Sequence, residues 1–224
     1  MTSRRGLLLQ APIMAVGALA GCSGKEEDVG AVEDLMREHG ILRRAILVFS
    51  ESAGRLRQGQ VVDANALHET ARLFRNFGED YHERKLEEAY IFPALRKAGG
   101  PAAAMVDTLV AQHNRGRQII DYVTSLTAKG RILEAETDGL AGSLDQFERM
   151  YANHAAREDT IIFPAWKAAL GPHAVDEMGD KFEDIEKQQF GGDGFDQALK
   201  QIGDIERTLG LDDLGQFTAQ APKA

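Results

Sequence analysis

The sequence predicts an all-α fold, an up-down-up-down four-helix bundle with extra helices at its C-terminal end. Three observations predict it. Four long segments carry apolar residues at alternating spacings of three and four, the pattern of one buried helical face. Short turn-forming stretches separate the segments, so successive helices pack antiparallel. The second pair of segments repeats the first, which places two similar helix pairs face to face.

The bundle begins after an amino-terminal region of different character. Ser3-Arg4-Arg5 is followed by a mostly apolar run from Gly6 to Ala18, interrupted by Gln10 and Pro12 and too short for a good membrane span. It ends in Leu19-Ala20-Gly21-Cys22, which is similar to a bacterial lipobox. Residues 1–21 are therefore expected to be a signal peptide and Cys22 the lipidated residue. Arg4-Arg5 is also similar to a twin-arginine export signal, although ordinary secretory signals accommodate such a pair. Residues 22–30 are polar and glycine-containing, as a tether would be. The expected location is the periplasm or cell envelope, anchored to a membrane. Loss of Arg4 and Arg5 takes the formal charge from −9 to −11.

The first helix begins near Ala31 and runs toward Gly59, with Val32, Leu35, His39, Leu42, Ile46 and Phe49 on one face. The second follows Asp63, a good N-cap, and aligns Leu67, Ala71, Phe74, Gly78 and His82 before Gly99-Gly100 stops it. The third is expected to open at Pro101, a favoured first-turn residue. Its face is Val106, Leu109, His113, Gly116, Ile120 and Val123, and Gly130 closes it. The fourth aligns Leu140, Leu144, Phe147, Tyr151, His154, Glu158 and Ile161. Residues 31–170 are thus the bundle. Residues 171–224 form a helical extension, with amphipathic segments near 172–189 and 194–209 expected to cap it.

The repeat is visible in the residues that bear chemistry. His39 and His113 are 74 residues apart, His82 and His154 are 72 apart, and Phe92-Pro93 recurs as Phe163-Pro164 after 71. One histidine therefore sits on the apolar stripe of each helix. Burying four imidazoles together costs several kcal/mol unless something pairs with their lone pairs, and a cation does so. His154 and Glu158, four apart, point from one helix face to one centre. In the first half the matching acid, counted back from Phe-Pro, is Glu87, five residues after His82, so that half carries one extra residue. A π-bulge would absorb it, and π-bulges cluster at functional sites. The predicted ligands are His39, His82, Glu87, His113, His154 and Glu158. Glu83 competes with Glu87, and Tyr151 is a candidate for direct or indirect contact with the metal. His68 and His173 are expected at the surface or at helix ends. Arg43 and Arg117, each four residues after a histidine, either pair with acids or face water.

Charge and cysteine usage narrow the function classes. A net charge of −9 excludes a phosphate-neutralising nucleic-acid surface. A single cysteine excludes an intrachain disulfide framework and thiolate metal pairs. Histidine with carboxylate suits Fe, Mn or Zn. A ferritin-like di-iron site would need Glu-x-x-His on two helices. On the stripe only Glu79 and His82 supply it, since Tyr151 stands where the second Glu would be.

The order His39, His82–Glu87, His113, His154–Glu158 resembles the hemerythrin-like HHE cation-binding family. Arg37-Glu38-His39, Tyr81-His82-Glu83, Ile91-Phe92-Pro93 and Ala155-Ala156-Arg157-Glu158-Asp159 carry the likeness, which covers about residues 30–170. The resemblance implies a four-helix bundle holding two irons bridged by carboxylates. One departure bears on activity. Oxygen-carrying members have a second histidine four residues after the one on the third helix, where this chain has Arg117. The expected function is a non-haem, di-iron protein that binds dioxygen or another small diatomic for sensing, storage or iron handling. The alternatives are an oxidase or peroxidase acting on peroxide, iron or nitric oxide, and a metal-free helical interaction protein.

Overall fold

A computed structural model describes residues 29–222. The expected signal peptide, the lipidation site Cys22 and most of the tether lie outside the described residues. The first bundle helix is α1, Ala31–Arg57. The second begins as α2, Ala64–Leu73, where the Asp63 carboxylate accepts from the backbone N–H of Asn65 and Ala66 at 2.9 and 3.1 Å. It continues unbroken as a π-helical segment, Phe74–Ile91, and then as α3, Phe92–Ala98. The extra residue between His82 and Glu87 is thus absorbed by i→i+5 hydrogen bonding, spread over many turns where a single bulge was expected. Gly99 and Gly100, at φ 75° and 84°, end this helix in a conformation that side chains with a Cβ disfavour.

Pro101 does not open the third bundle helix. It lies in α4, a single turn at Gly100–Ala103, and α5 begins only at Val106 and runs to Thr127. The proline marks a first turn as its fixed φ dictates, but that turn belongs to the connection. The fourth bundle helix is α6, Thr137–Arg157, which passes through a second π segment, Glu158–Ile162, into α7, Phe163–Leu170. This π segment moves the buried stripe by one position. Ile162 is buried and Ile161, predicted inward, is 40% exposed. No β-strand occurs among the described residues, and none of their helices is long and apolar enough to cross a membrane.

α1 lies against α6 and the second helix, and α5 lies against the second helix and α6, as sequential up-down connection requires. The middle of the bundle is a cluster of Phe49, Phe74 and Phe147, all buried, with ring centroids 5.0–6.4 Å apart. Each buried ring contributes about 1.5–3 kcal/mol. α1 and the second helix approach closely at Gly78, where a Cβ would meet Leu42 Cδ2 at 2.9 Å.

The extension forms α8, Pro172–Phe190, and α9, Gly194–Leu209. It does not cap an end of the bundle as expected. Both helices lie along the flank made by α1 and the second helix. α1 buries Ile41 and Val48 as well as its main stripe, which gives it a second apolar face. Phe190 packs on Phe77 and Tyr81, Phe182 stacks on Trp166 at 5.8 Å, and Arg44 pairs with Glu206.

Candidate metal centre

The four stripe histidines meet at one level of the bundle. His39 Nε2 and His82 Nε2 are 3.0 Å apart, and His113 Nε2 and His154 Nε2 are 3.1 Å apart. All four rings are buried. The predicted carboxylates enter between the two pairs. Glu87 places Oε1 3.5 Å from His82 Nε2 and Oε2 3.3 Å from His113 Nε2. Glu158 places Oε2 2.9 Å from His154 Nε2 and 3.6 Å from His39 Nε2, with Oε1 3.8 Å from His113 Nε2. The donor atoms facing the centre fall into two sets, His39–His82–Glu87 and His113–His154–Glu87–Glu158, which share Glu87, and a third set, Glu83–Glu88–His113, lies on the outer, Nδ1 side of His113.

The outer nitrogens explain why the inner ones converge. His39 Nδ1 donates to Asp159 at 2.7 Å, His82 Nδ1 to Glu38 at 2.5 Å, His113 Nδ1 to Glu88 at 2.8 Å, and His154 Nδ1 to Gln112 Oε1 at 2.9 Å. Each partner is an acceptor, so in the neutral ring the proton stays on Nδ1 and the Nε2 lone pair faces the centre. Arg43 stands behind Asp159, and Arg117 behind Glu88, at 2.6 Å. The two Phe-Pro motifs finish the walls. Phe163 packs on His39 at 5.3 Å and Phe92 stacks on His113 at 5.5 Å.

All four carboxylate oxygens of Glu87 and Glu158 are buried without a hydrogen-bond partner among the described residues. Four imidazole lone pairs and four such oxygens, with no thiolate, make a hard-to-borderline donor set suited to iron, manganese or zinc. These residues fit a bound cation. Without one, protons supply part of the missing charge. Burial opposes ionisation of His82 and His113, yet Glu87, Glu83 and the other facing carboxylates hold both imidazoles well above their ordinary range. Burial likewise opposes ionisation of Glu87, and His82 and His113 hold it well below the usual carboxylate range.

Of the two first-half acids, Glu87 faces the centre. Glu83 lies on the Nδ1 side of His113, 3.9 Å away, and is held at 3.0 Å by Arg117. Tyr151 lies beside the centre, its ring stacked on that of His154 at 6.0 Å and edge-on to that of His39 at 6.2 Å. Its hydroxyl is buried with no partner among the described residues, and burial, with Glu158 nearby, pushes it well above the ordinary phenol range. Glu79, which a ferritin-like site would recruit, joins neither donor set. It is buried beside Arg75 at 2.8 Å, and burial, helped by Glu83, pushes it up to about 8. His68 is half-buried and bonds Thr127 Oγ1 at 2.9 Å, while His173 is exposed and pairs with Glu177.

The sequence reading missed the acceptors Glu38, Glu88 and Gln112. A signal existed: Glu38 and Gln112 each precede a first-helix histidine, and Glu88 and Asp159 each follow a predicted carboxylate ligand. Arg43 and Arg117 pair with acids, one of the two roles open to them.

Comparison with known proteins agrees with this geometry. Uncharacterized proteins of Mycobacterium tuberculosis and Mycobacterium bovis are each 39% identical over 232 residues, an alignment covering 96% of this chain and 90% of the relative. No solved structure matches the chain. Residues 30–166, which span the bundle up to the last turn of α7 and include both donor sets facing the centre, match the hemerythrin HHE cation binding domain, and the chain belongs to that family.

Proposed function

We propose that this chain binds two non-haem iron ions, which His39 and His82 on one side, His113, His154 and Glu158 on the other, and Glu87 between them would hold, and that it there binds dioxygen or another small diatomic ligand. The observation that carries the reading is Glu87, whose two oxygens face different histidine pairs and belong to both donor sets. Iron, when bound, supplies an exchangeable coordination position and reversible redox chemistry.

The chain's own residues would govern access and polarity. Phe49, Phe74 and Phe147 form a dry layer beside the centre, with Phe74 5.3 Å from the Tyr151 ring. The Tyr151 hydroxyl has no other partner among the described residues and is free to donate to a ligand held there. Replacement of the second third-helix histidine by Arg117, which turns outward to Glu83 and Glu88, leaves fewer nitrogen donors than an oxygen carrier has. Sensing, storage or iron handling therefore fits better than bulk carriage. The lipobox-like Leu19-Ala20-Gly21-Cys22 supports an exported domain tethered to a membrane through Cys22.

The test is metal analysis with optical spectroscopy on the purified chain. Two irons per chain, and charge-transfer bands that appear with oxygen and vanish on its removal, are expected. Bands that bleach irreversibly while peroxide is consumed would replace this reading with an oxidase or peroxidase. Absence of iron and manganese would leave the metal-free interaction protein.

A further inference from the structure

We propose that the two metal positions are unequal, the His39–His82 position binding its ion more tightly, and that Glu38 set against Gln112 creates the difference. The inference rests on the dinuclear reading above and concerns residues that reading does not use.

The centre has an approximate two-fold relation between its halves. Glu38-His39 on α1 corresponds to Gln112-His113 on α5, and His82, Glu87 and Glu88 correspond to His154, Glu158 and Asp159. Most of the outer hydrogen bonds obey the relation. Asp159 on His39, at 2.7 Å, matches Glu88 on His113, at 2.8 Å. Arg43 behind Asp159 matches Arg117 behind Glu88. One pair breaks it. His82 Nδ1 donates to the Glu38 carboxylate at 2.5 Å, whereas His154 Nδ1 donates to the neutral Gln112 amide at 2.9 Å.

A carboxylate acceptor draws the Nδ1 proton and makes Nε2 a stronger donor, and it places a full negative charge near the cation. An amide oxygen does the first weakly and the second not at all. Glu38 is 1% exposed, so water screens little of its charge. Glu158, nearer His154 than His39, adds a carboxylate to the His113–His154 set, while the outer charges favour the first position. Behind His113 the largely buried Arg117 is shared between Glu88, at 2.6 Å, and Glu83, at 3.0 Å, and offsets part of the charge of both. Arg43, which could offset the charge at the first position, has a side chain 43% exposed and is screened by solvent. The His39–His82 position thus has two anionic acceptors against one anion and one amide. Glu38 and Gln112 are positioning residues, acting through His82 and His154, and outer-shell partners of this kind change metal affinity about 10–100-fold. The first ion enters at His39–His82. The ion at His113–His154 is held more weakly and is the one removed first by a chelator.

Titration of the stripped, purified chain with Co(II), followed by calorimetry and visible absorption, tests this. Two ions are expected to bind in steps separated by about tenfold or more. Glu38→Gln should weaken the first step by about tenfold or more and bring the two together. Gln112→Glu should strengthen the second by a similar factor, a gain that damage to the fold does not produce. Two steps with indistinguishable constants, an unchanged first step in Glu38→Gln, or an unchanged second step in Gln112→Glu would overturn the inequality while leaving the dinuclear reading standing. Fewer than two ions per chain would overturn both.

Discussion

Removal of the cations should destabilise the bundle by an amount readable from its orphaned atoms. Glu87 and Glu158 present four buried oxygens with no hydrogen-bond partner among the described residues. Each such oxygen costs about 1–3 kcal/mol, so together they load the stripped fold with roughly 4–12 kcal/mol. Protons held by His82 and His113 offset part of this, leaving about 5 kcal/mol. Binding linkage gives a similar figure, since two sites each filled at a hundredfold above Kd contribute about 2.7 kcal/mol apiece. At about 2–4 °C per kcal/mol for a domain of this size, the stripped chain should melt about 10–20 °C below the loaded one. Circular dichroism melts at neutral pH, before and after chelation and again after iron is restored, measure the difference. Glu87→Met sharpens the test because it removes two of the orphaned oxygens. Its stripped form should melt above the stripped parent, and added iron should raise it much less. A chain shown to carry its metal, yet melting at the same temperature when stripped, would refute the argument. So would a stripped Glu87→Met chain that melts well below the stripped parent.

Three further outcomes follow from the same geometry. His113→Ala should lose most of the bound metal while His68→Ala keeps it, because His113 Nε2 faces Glu87 at 3.3 Å, whereas His68 bonds Thr127 Oγ1 and belongs to no donor set among the described residues; equal metal content by plasma emission would contradict the ligand assignment. Arg117→Met leaves Glu83 and Glu88 without their shared cation and should cost about 3 kcal/mol in urea unfolding, a loss under 0.5 kcal/mol counting against the network. Glu186 is pushed up from 4.5 to about 7 by burial, against a hydrogen bond from the Phe195 N–H and with Glu38, Asp193 and Asp34 adding to the rise. Because the folded value is the higher one, the penalty is absent below 4.5, grows as pH rises toward 7 and stays constant above it. Glu186→Gln should therefore match the parent at about pH 4 and exceed it by about 1–2 kcal/mol at about pH 8, solvent in the cavity that Glu186 lines with Asp34, Glu38 and Asp193 reducing the full 1.36 kcal/mol per unit. The same gain at both pH values would show that charge is not the cause.

The bundle and its inward face were legible in the sequence because helical periodicity reports burial directly. Leu35, His39, Leu42, Ile46 and Phe49 on α1, and Val106, Leu109, His113, Gly116, Ile120 and Val123 on α5, are all buried as their spacing predicts. Periodicity fails where the helix changes pitch. Ile161 was misplaced because the π segment Glu158–Ile162 adds a residue to the turn, and nothing in residues 158–162 alone announces that. The repeat compensated in the first half: alignment on Phe92-Pro93 selected Glu87 over Glu83, which α-helical counting from His82 would not have done.

Sequence by itself determined the class of fold, the four histidines on four inward faces and the carboxylates paired with them, because these depend on local spacing and on a repeat within one chain. Tertiary structure decided what the spacing could not: that Glu87 reaches both histidine pairs, that Arg117 turns outward to Glu83 and Glu88, that α8 and α9 cover a flank, and that Glu38 and Gln112 occupy matching places behind His82 and His154. Each of these joins residues on different helices, and the physical reason is the same in every case. A side chain's partner across a bundle depends on how neighbouring helices are rotated and staggered, and that is set by packing of the whole core, not by the periodicity of any one segment.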